Sequence, residues 1–511
     1  MTIKGKILKG AYFDSVTLMI VGKELAEFEG VEDAAVVMGT KENISILKNS
    51  NLFVDYFKDA KDSDLLIAVK SDNDKVLEAA FLKADEILAK KSDSQDDGEE
   101  FTPKSIDGAL GQMKDANMVM ISVAGKYAFI EAMKALQNNL HVMLFSDNIS
   151  IEQEVELKEY ANKKGLLVMG PDCGTAIING IPLAFANVVN RGDIGVVAAA
   201  GTGLQEVTTI VSNNGCGISQ AIGTGGRDVK KEVSGLMFIQ SIKALIDDEN
   251  TKVILLVSKP PYEDVIKKIA LELENTEKPI VSIFLSAPKG LLKGNKVYEA
   301  ETLEEAAMAA VCYSKEVNPI KLKDNLSARS IEIKTKAIVF KEKLNDQQKY
   351  IRGLFAGGTF CTEAQLICKT KLNEIYSNAP LPGLNQLEDS MKSVAHTIID
   401  LGEDEFTVGR PHPMIDFTLR NKRILEEAKD PETALILLDV VLGYGSNMNP
   451  IDELKDVLKE ALGQVPVICS ITGTDKDPQN RSLVKNALEE LGVVVLPSNA
   501  AAVEFSLEVV A

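Results

Sequence analysis

A chain of 511 residues is too long for one hydrophobic core, and 45% apolar with 26% charged residues is the balance of a soluble protein of three or four domains. A net charge of -19, without any Lys- or Arg-rich run, argues against a nucleic-acid or anionic-membrane partner. No apolar run approaches membrane-spanning length, since Asp439 breaks even TALILLDVVLG, and MTIKGKILKG lacks a signal-peptide core, so a cytoplasmic protein is expected.

Residues 1–90 alternate short strands and helices. KGKILKGAYF and VEDAAVVMGT read as strands around the helix SVTLMIVGKELAEF, and DLLIAVKS leads into DNDKVLEAAFLKADEILAK. Asp14 or Ser15 is the expected N-cap of the first helix, and Asp72 or Asn73 of the last. The pattern is that of a small α/β sandwich, followed by an acidic, polar linker over 91–104.

From Ser105 to about 190 the strands ANMVMISVAG, NLHVMLFSD and GLLVMGPDCG are near-continuously apolar, as in a parallel sheet covered on both faces. With the helices between them they predict a doubly wound sheet, whose ligands bind beyond the carboxyl ends of the strands. Those ends are Ala124-Gly125, Ser146-Asp147-Asn148 and Gly170-Pro171-Asp172-Cys173.

Two further domains, 191–314 and 348–511, read as copies of one unit joined by a Lys-rich helical connector, 315–347. DIGVVAAAGTGLQEVTTIV matches YIRGLFAGGTFCTEAQLICK, each with an apolar strand, a Gly-Thr turn (Gly201-Thr202, Gly358-Thr359) and a Glu four residues after the Thr (Glu206, Glu363). Downstream, ALIDDENTKVILLVSKPP matches EEAKDPETALILLDVVLG, and KPIVSIFLSAPKG matches VPVICSITGTDKD. A Gly turn between a buried strand and a helix aims unbonded N–H groups and the positive end of the helix dipole at one spot. Gly201, Thr202, Gly203, Gly357, Gly358 and Thr359 are therefore candidate phosphate-binding residues, forming a two-sided anion site. Arg227 and Arg410, each after a glycine, are candidates to grip a phosphate or carboxylate bidentately, although structural ion pairs with Asp228 and Asp416 suit them as well. His412 and Asp416 are too few for a metal centre, so His412 is assigned to substrate contact or loop rigidity; His141 and His396 read as core or edge histidines. The six cysteines lack any C-x-x-C pair and read as buried free thiols, so no metal site is expected.

GPDCG, GTGLQE, GTGGRD and APKG make the stretch from Ser105 to Gly290 resemble the α subunit of succinyl-CoA synthetase and the NDP-forming acyl-CoA synthetases. The second repeat is similar to the flavodoxin-like ligase domain of those enzymes. Over nearly its full length, through AYFDSVTLMI, LLVMGPDCGT, IGTGGRDV and DEFTVGRPHPMIDFTLRN, the chain resembles the FdrA family. The resemblance implies an α/β fold: a small N-terminal α/β domain, a CoA-binding Rossmann-like domain and two flavodoxin-like succinyl-CoA synthetase domains. It places Gly443, Gly445 and Ser446 at a phosphate-facing helix and Ser146, Asp147, Asn148, Gly170, Pro171 and Asp172 in a CoA-like pocket. CoA, nucleotide and Mg²⁺ are the implied candidate cofactors.

The departures are equally informative. The synthetases carry a phosphorylated histidine after the APKG-like turn, whereas Ala287-Pro288-Lys289-Gly290 runs into LLKGNKVYEAETLEEAA with no histidine. Where they place a glutamate supporting that histidine, this chain has Lys259, which favours a bound anion; a plain solvent-facing lysine is the default alternative. Members of the FdrA family include a subunit of oxamate carbamoyltransferase, acting with two further subunits in allantoin-derived oxalurate breakdown. The expected function is such a carbamoyltransferase subunit, with Arg227, Arg410, Lys259 and His412 as catalytic candidates. Its expected ligands are phosphate, carbamoyl phosphate or a small carboxylic acid, and its expected partners two further subunits or copies of itself. The alternatives are an acyl-CoA synthetase and a scaffold that kept an old pocket.

Overall fold

The computed structural model describes residues 2–11, 13, 15–93, 103, 105–274, 276–292, 296–407 and 410–510. The caps expected at Asp14 or Ser15 and most of the expected linker lie outside the described residues and side chains. Contacts divide the chain into two compact units, one of Met1–Ala116 with Ser122–Ala124 and Glu403–His412, the other of the remainder.

The first unit is built on strands β1 (Thr2–Leu8), β2 (Asp33–Met38) and β3 (Leu65–Ser71), antiparallel in the order β1-β3-β2. Successive residues of β3 alternate between two cores, as the period of two requires: Leu65, Ile67 and Val69 join Val21, Leu25 and Ala80, while Leu66 and Ala68 join Leu47 and Phe57. The expected sandwich is present, with one helix more than the sequence pattern indicated, Lys41–Asn49. Asn73 caps the helix Asp74–Asp93, its side chain accepting from the Lys75 N–H at 3.0 Å.

Among the described residues the second unit contains three sheets. β4 (Met118–Ile121), β5 (His141–Leu144) and β6 (Val168–Met169) are parallel in that order. Next come β7 (Thr175–Ile178), β8 (Ile181–Ala184), β9 (Arg191–Ala198), β10 (Ile218–Gly223), β11 (Val253–Ser258), β12 (Ile280–Phe284) and β13 (Val297–Glu299), in the order β13-β12-β11-β9-β10-β7-β8. The hairpin β7-β8 pairs antiparallel with β10, so this sheet begins upstream of the boundary expected near 190. The last sheet comprises β14 (Tyr350–Phe355), β15 (Ile375–Ser377), β16 (Asn385–Gln386), β17 (His396–Asp400), β18 (Thr433–Val441), β19 (Val467–Thr472) and β20 (Val494–Leu496), in the order β16-β15-β17-β14-β18-β19-β20.

Laid against each other, β13-β12-β11-β9-β10 and β20-β19-β18-β14-β17 are the same five parallel strands in the same order. The internal repeat is thus one of topology as well as sequence. All nine residues of β18 are buried, as in a sheet covered by helices on both faces. One hydrophobic core runs through both repeats, from Leu204 and Val207 through Ala306 to Phe360, Ala364 and Phe505. The connector is no loose tether: helix Leu322–Lys341 buries Leu322, Ile333 and Ala337, and Ser330 bonds Glu504 on the last helix, Asn499–Val510.

Candidate functional site

The helices Gly201–Asn213 and Gly358–Cys368 start beyond β9 and β14, and the structure brings these two starts together. A Cβ on Gly203 would lie 3.0 Å from Thr359 Cγ2, one on Gly357 2.9 Å from Thr202 Cγ2, and the Thr359 N–H reaches Thr202 Oγ1 at 3.4 Å. Glycine at these positions is what lets the two backbones approach.

The two starts are chemically unequal. At the first, the ladder begins with Leu204 N–H donating to Ala200 O, so the N–H groups of Gly201, Thr202 and Gly203 lie outside it. No side chain caps this end, and Gly201 is exposed. The second start is flanked by protein carboxylates. Asp439, on β18, accepts from the N–H groups of Ala356 and Gly357 at 2.8 and 3.0 Å, and Asp400, at the end of β17, sits so close that a Cβ on Gly358 would be 2.5 Å from its Oδ2. Asp439 is wholly buried; burial raises its carboxyl above the ordinary range, against the pull of buried Arg420, 3.3 Å away. The N–H groups of Gly358, Thr359 and Phe360 also lie outside the ladder, which begins with Cys361 N–H on Gly357 O, but the two carboxylates beside this start make it less favourable to an added anion than the first.

The other expected residues divide similarly. Gly443, Gly445 and Ser446 join the repeats: Gly443 N–H donates to Gln479 Oε1 at 3.0 Å, Tyr444 N–H to Ala186 O at 3.0 Å, and Gly445 packs against the Phe185 ring. Ser446 Oγ is buried with no hydrogen-bond partner among the described residues. Arg227 pairs with buried Glu154 at 2.8 Å rather than with Asp228, and donates to Ile149 O. Asp228 instead meets Lys158 at 2.8 Å and receives the Met237 and Phe238 N–H groups at the start of helix Leu236–Asp247. Arg227 is thus held in a structural network. Arg410 and half-buried His412 belong to the other unit, where Arg410 lies 4.0 Å from Asp33 rather than beside Asp416, whose carboxylate accepts the Thr418 N–H. Lys259, exposed after β11, is near enough to Cys361 for its charge to oppose the rise that burial imposes on that thiol.

Ser146 and Asp172 meet beyond β5 and β6, with Asp172 N–H on Ser146 O at 3.1 Å. Asn148 and Asp172 hold left-handed backbone, φ 53° and 54°, and Gly170 is needed where its Cβ would strike Leu144 O. The six residues of this expected CoA-like pocket carry two carboxylates and no cation, which does not fit the phosphates of CoA. Among the described residues, no group of three or more His, Cys, Asp or Glu is placed to hold a metal, and no helix is long and apolar enough to cross a membrane.

Sequence reading marked Glu206 and Glu363 only as repeat signatures. Both are buried, and each bonds the terminal helix of the opposite repeat. Glu206 accepts from Asn499 N–H at 3.1 Å and Thr472 Oγ1 at 2.5 Å; Glu363 accepts from Leu303 N–H at 2.7 Å and Asn499 Nδ2 at 2.7 Å. Burial pushes each carboxyl up to about 7, against its hydrogen bonds. His141 and His396 each accept a backbone N–H on Nδ1, from Leu167 and Ile351, and burial beside Arg352 pushes His396 down to about 4.

Comparison with known proteins fits this architecture. The chain is 39% identical to Escherichia coli K12 YahF, an uncharacterised protein, over 98% of its own length and 97% of YahF. It belongs to the YahF family. Family models for a CoA binding domain and a CoA-ligase match residues 189–286 and 354–509, marking the YahF family as succinyl-CoA synthetase-like. A third, described as the AllF heavy metal-associated domain, matches residues 1–103. That segment contains neither cysteine nor histidine, so it lacks the thiolate and imidazole ligands of a soft-metal site. The chain is 26% identical to the α subunit of the ADP-forming succinate–CoA ligase of Methanothermobacter thermautotrophicus, over 35% of the chain and 62% of that subunit. Among solved structures, a Pyrococcus horikoshii protein matches at 14% identity, covering 80% of the chain and 86% of that protein at a TM-score of 0.34. ATP citrate lyase of Methanothrix soehngenii matches at 20% identity, over 42% of the chain and 38% of the lyase, at 0.31.

Proposed function

We propose that this YahF-family chain is the anion-binding subunit of a carbamoyltransferase complex of the FdrA type, acting on carbamoyl phosphate and a small oxamate-like acid. The observation that carries the reading is the uncapped helix start at Gly201-Thr202-Gly203, facing the second repeat, whose own start is flanked by the carboxylates of Asp439 and Asp400. The N-terminal match to an AllF domain supports a place in allantoin-related metabolism. In carbamoyl transfer the acceptor nitrogen attacks the carbonyl carbon, a C–N bond forms, the C–O bond to phosphate breaks, and the nitrogen's proton passes to the departing phosphate or to water. The protein's share is positioning and charge stabilisation. In this reading the Gly201–Gly203 N–H groups, the Thr202 hydroxyl and Lys259 hold the phosphate, and no phosphohistidine is used.

The match to a CoA-ligase family over 354–509 favours a second reading, acyl-CoA ligase chemistry. Thermal unfolding of the full chain, purified with the proteins that accompany it, separates the two. Phosphate and carbamoyl phosphate are expected to raise the midpoint in wild type and much less in Thr202→Val. Protection by CoA or nucleotide, with none from carbamoyl phosphate or phosphate, replaces the first reading with the second.

A further inference from the structure

A cleft of about 190 Å³ lies at the other end of β5 from Ser146, between the sheet β4-β5-β6 and the sheet containing β7 and β10. His141, the first residue of β5, and Ser146 are five positions apart, roughly 16 Å along an extended strand, so the cleft opens at the far end of the strand from Ser146, with Met169 of its wall directly before Gly170. Its walls are apolar, formed by Met118, Met169, Ile178, Ile222 and Leu245.

Three polar side chains reach the cleft, and two are spoken for. Gln220 exchanges hydrogen bonds with Asn179 at both ends of its amide, and Asp248 accepts from Asn250 and Thr251. The third is His141. Its Nδ1 accepts the Leu167 N–H at 3.0 Å, which places the neutral ring's proton on Nε2, and among the described residues Nε2 has no acceptor. Half-burial lowers the pKa of the ring and so favours the neutral form.

From this geometry we infer that the cleft is a binding site for a small, mostly apolar molecule carrying one hydrogen-bond acceptor, a ketone, aldehyde or ester, with His141 Nε2–H as its donor. Apolar walls supply the affinity and the single donor sets the orientation. The inference is independent of the carbamoyltransferase reading, because none of the residues involved belongs to the Gly201 turn.

Cyclohexanone and methylenecyclohexane, which share a shape and differ in the acceptor, are the probes, titrated into the full-length protein with ring-nitrogen NMR of His141 as the readout. The ketone is expected to bind saturably, to move the Nε2–H resonance, and to bind roughly fivefold tighter than the hydrocarbon, the worth of one ordinary hydrogen bond. His141→Phe should remove that preference. Ala244→Phe, at an exposed helix position on the cleft wall, should abolish binding of both and tests the site should His141→Phe fail to fold. Absence of saturable ketone binding, equal binding of the two probes to wild type, or undiminished binding to Ala244→Phe would each overturn the inference.

Discussion

Glu206 and Glu363 behave unlike surface carboxylates, because each is buried at the junction of the repeats and accepts backbone and side-chain donors, with no ion pair to either among the described residues. Glu206 faces Thr472 and Asn499, with Glu304 raising its pKa and Arg481 lowering it; Glu363 faces Leu303 and Asn499, with Glu206 and Glu304 both raising it. A folded-state pKa above the unfolded one means that the folded protein holds the proton more tightly. The stability this contributes is complete below about pH 4.5 and is lost as pH rises through about 7. Glu206→Gln keeps the shape and removes the titration, so relative to wild type it should gain about 1–3 kcal/mol between pH 5 and pH 8. Urea unfolding at three pH values checks this, and a pH-independent difference rules it out. Gly358 gives a purely steric counterpart. With Asp400 Oδ2 only 2.5 Å from an added Cβ, Gly358→Ala should cost about 1–3 kcal/mol in thermal unfolding, and Gly358→Ala combined with Asp400→Ala should recover part of it.

At the scale of elements, the turn leading into helix Gly358–Cys368 depends on β18 and helix Thr418–Lys429 through Asp439 and Arg420. Arg420, stacked 4.4 Å over Phe417, donates to the Asp439 carbonyl at 2.7 Å, so Arg420→Met leaves a carboxylate buried without its cation. A loss of about 3–5 kcal/mol is expected, with Asp439→Asn milder since the amide oxygen still accepts from one of the two turn N–H groups. Denaturant midpoints of the two variants test that order. This pair also shows why the site was only partly legible. The Gly-Thr turns, their strands and the repeat stood out because apolar runs and glycines are local signals. Asp439 stood out too, but only as an interruption of an apolar run; nothing local says that its carboxylate reaches across to β14 and binds the turn 82 residues away. For the same reason Arg227 and Arg410 looked alike in sequence, each after a glycine, yet belong to different units, one held by Glu154 and the other beside Asp33. Contacts spanning domains are set by topology, which spacing does not encode.

Across the molecule, the repeats share one core, and their polar contacts are reciprocal: Glu206 of the first serves Asn499 of the second, and Glu363 of the second serves Leu303 of the first. Asn187 adds a third crossing, donating to Leu442 O at 2.8 Å and Asp477 at 2.9 Å, while Val188 N–H reaches Asp477 at 2.7 Å. A half standing alone would expose Leu204, Val207 and Ala306, or Phe360, Ala364 and Phe505, to water and would strand a buried carboxylate and a helix start without their partners. Such an interface resembles a divided domain core and is obligate in character. The segments 105–316 and 317–511, expressed separately, should therefore lack a cooperative thermal transition, and expressed together they should co-purify at equal stoichiometry and recover one. The cut falls before helix Leu322–Lys341, so that this helix stays with the last helix on which it packs. Independent, cooperative melting of either segment would mean that the repeats are autonomous domains, and that the abutting turns at Thr202 and Thr359 are held by loose docking instead of a common core.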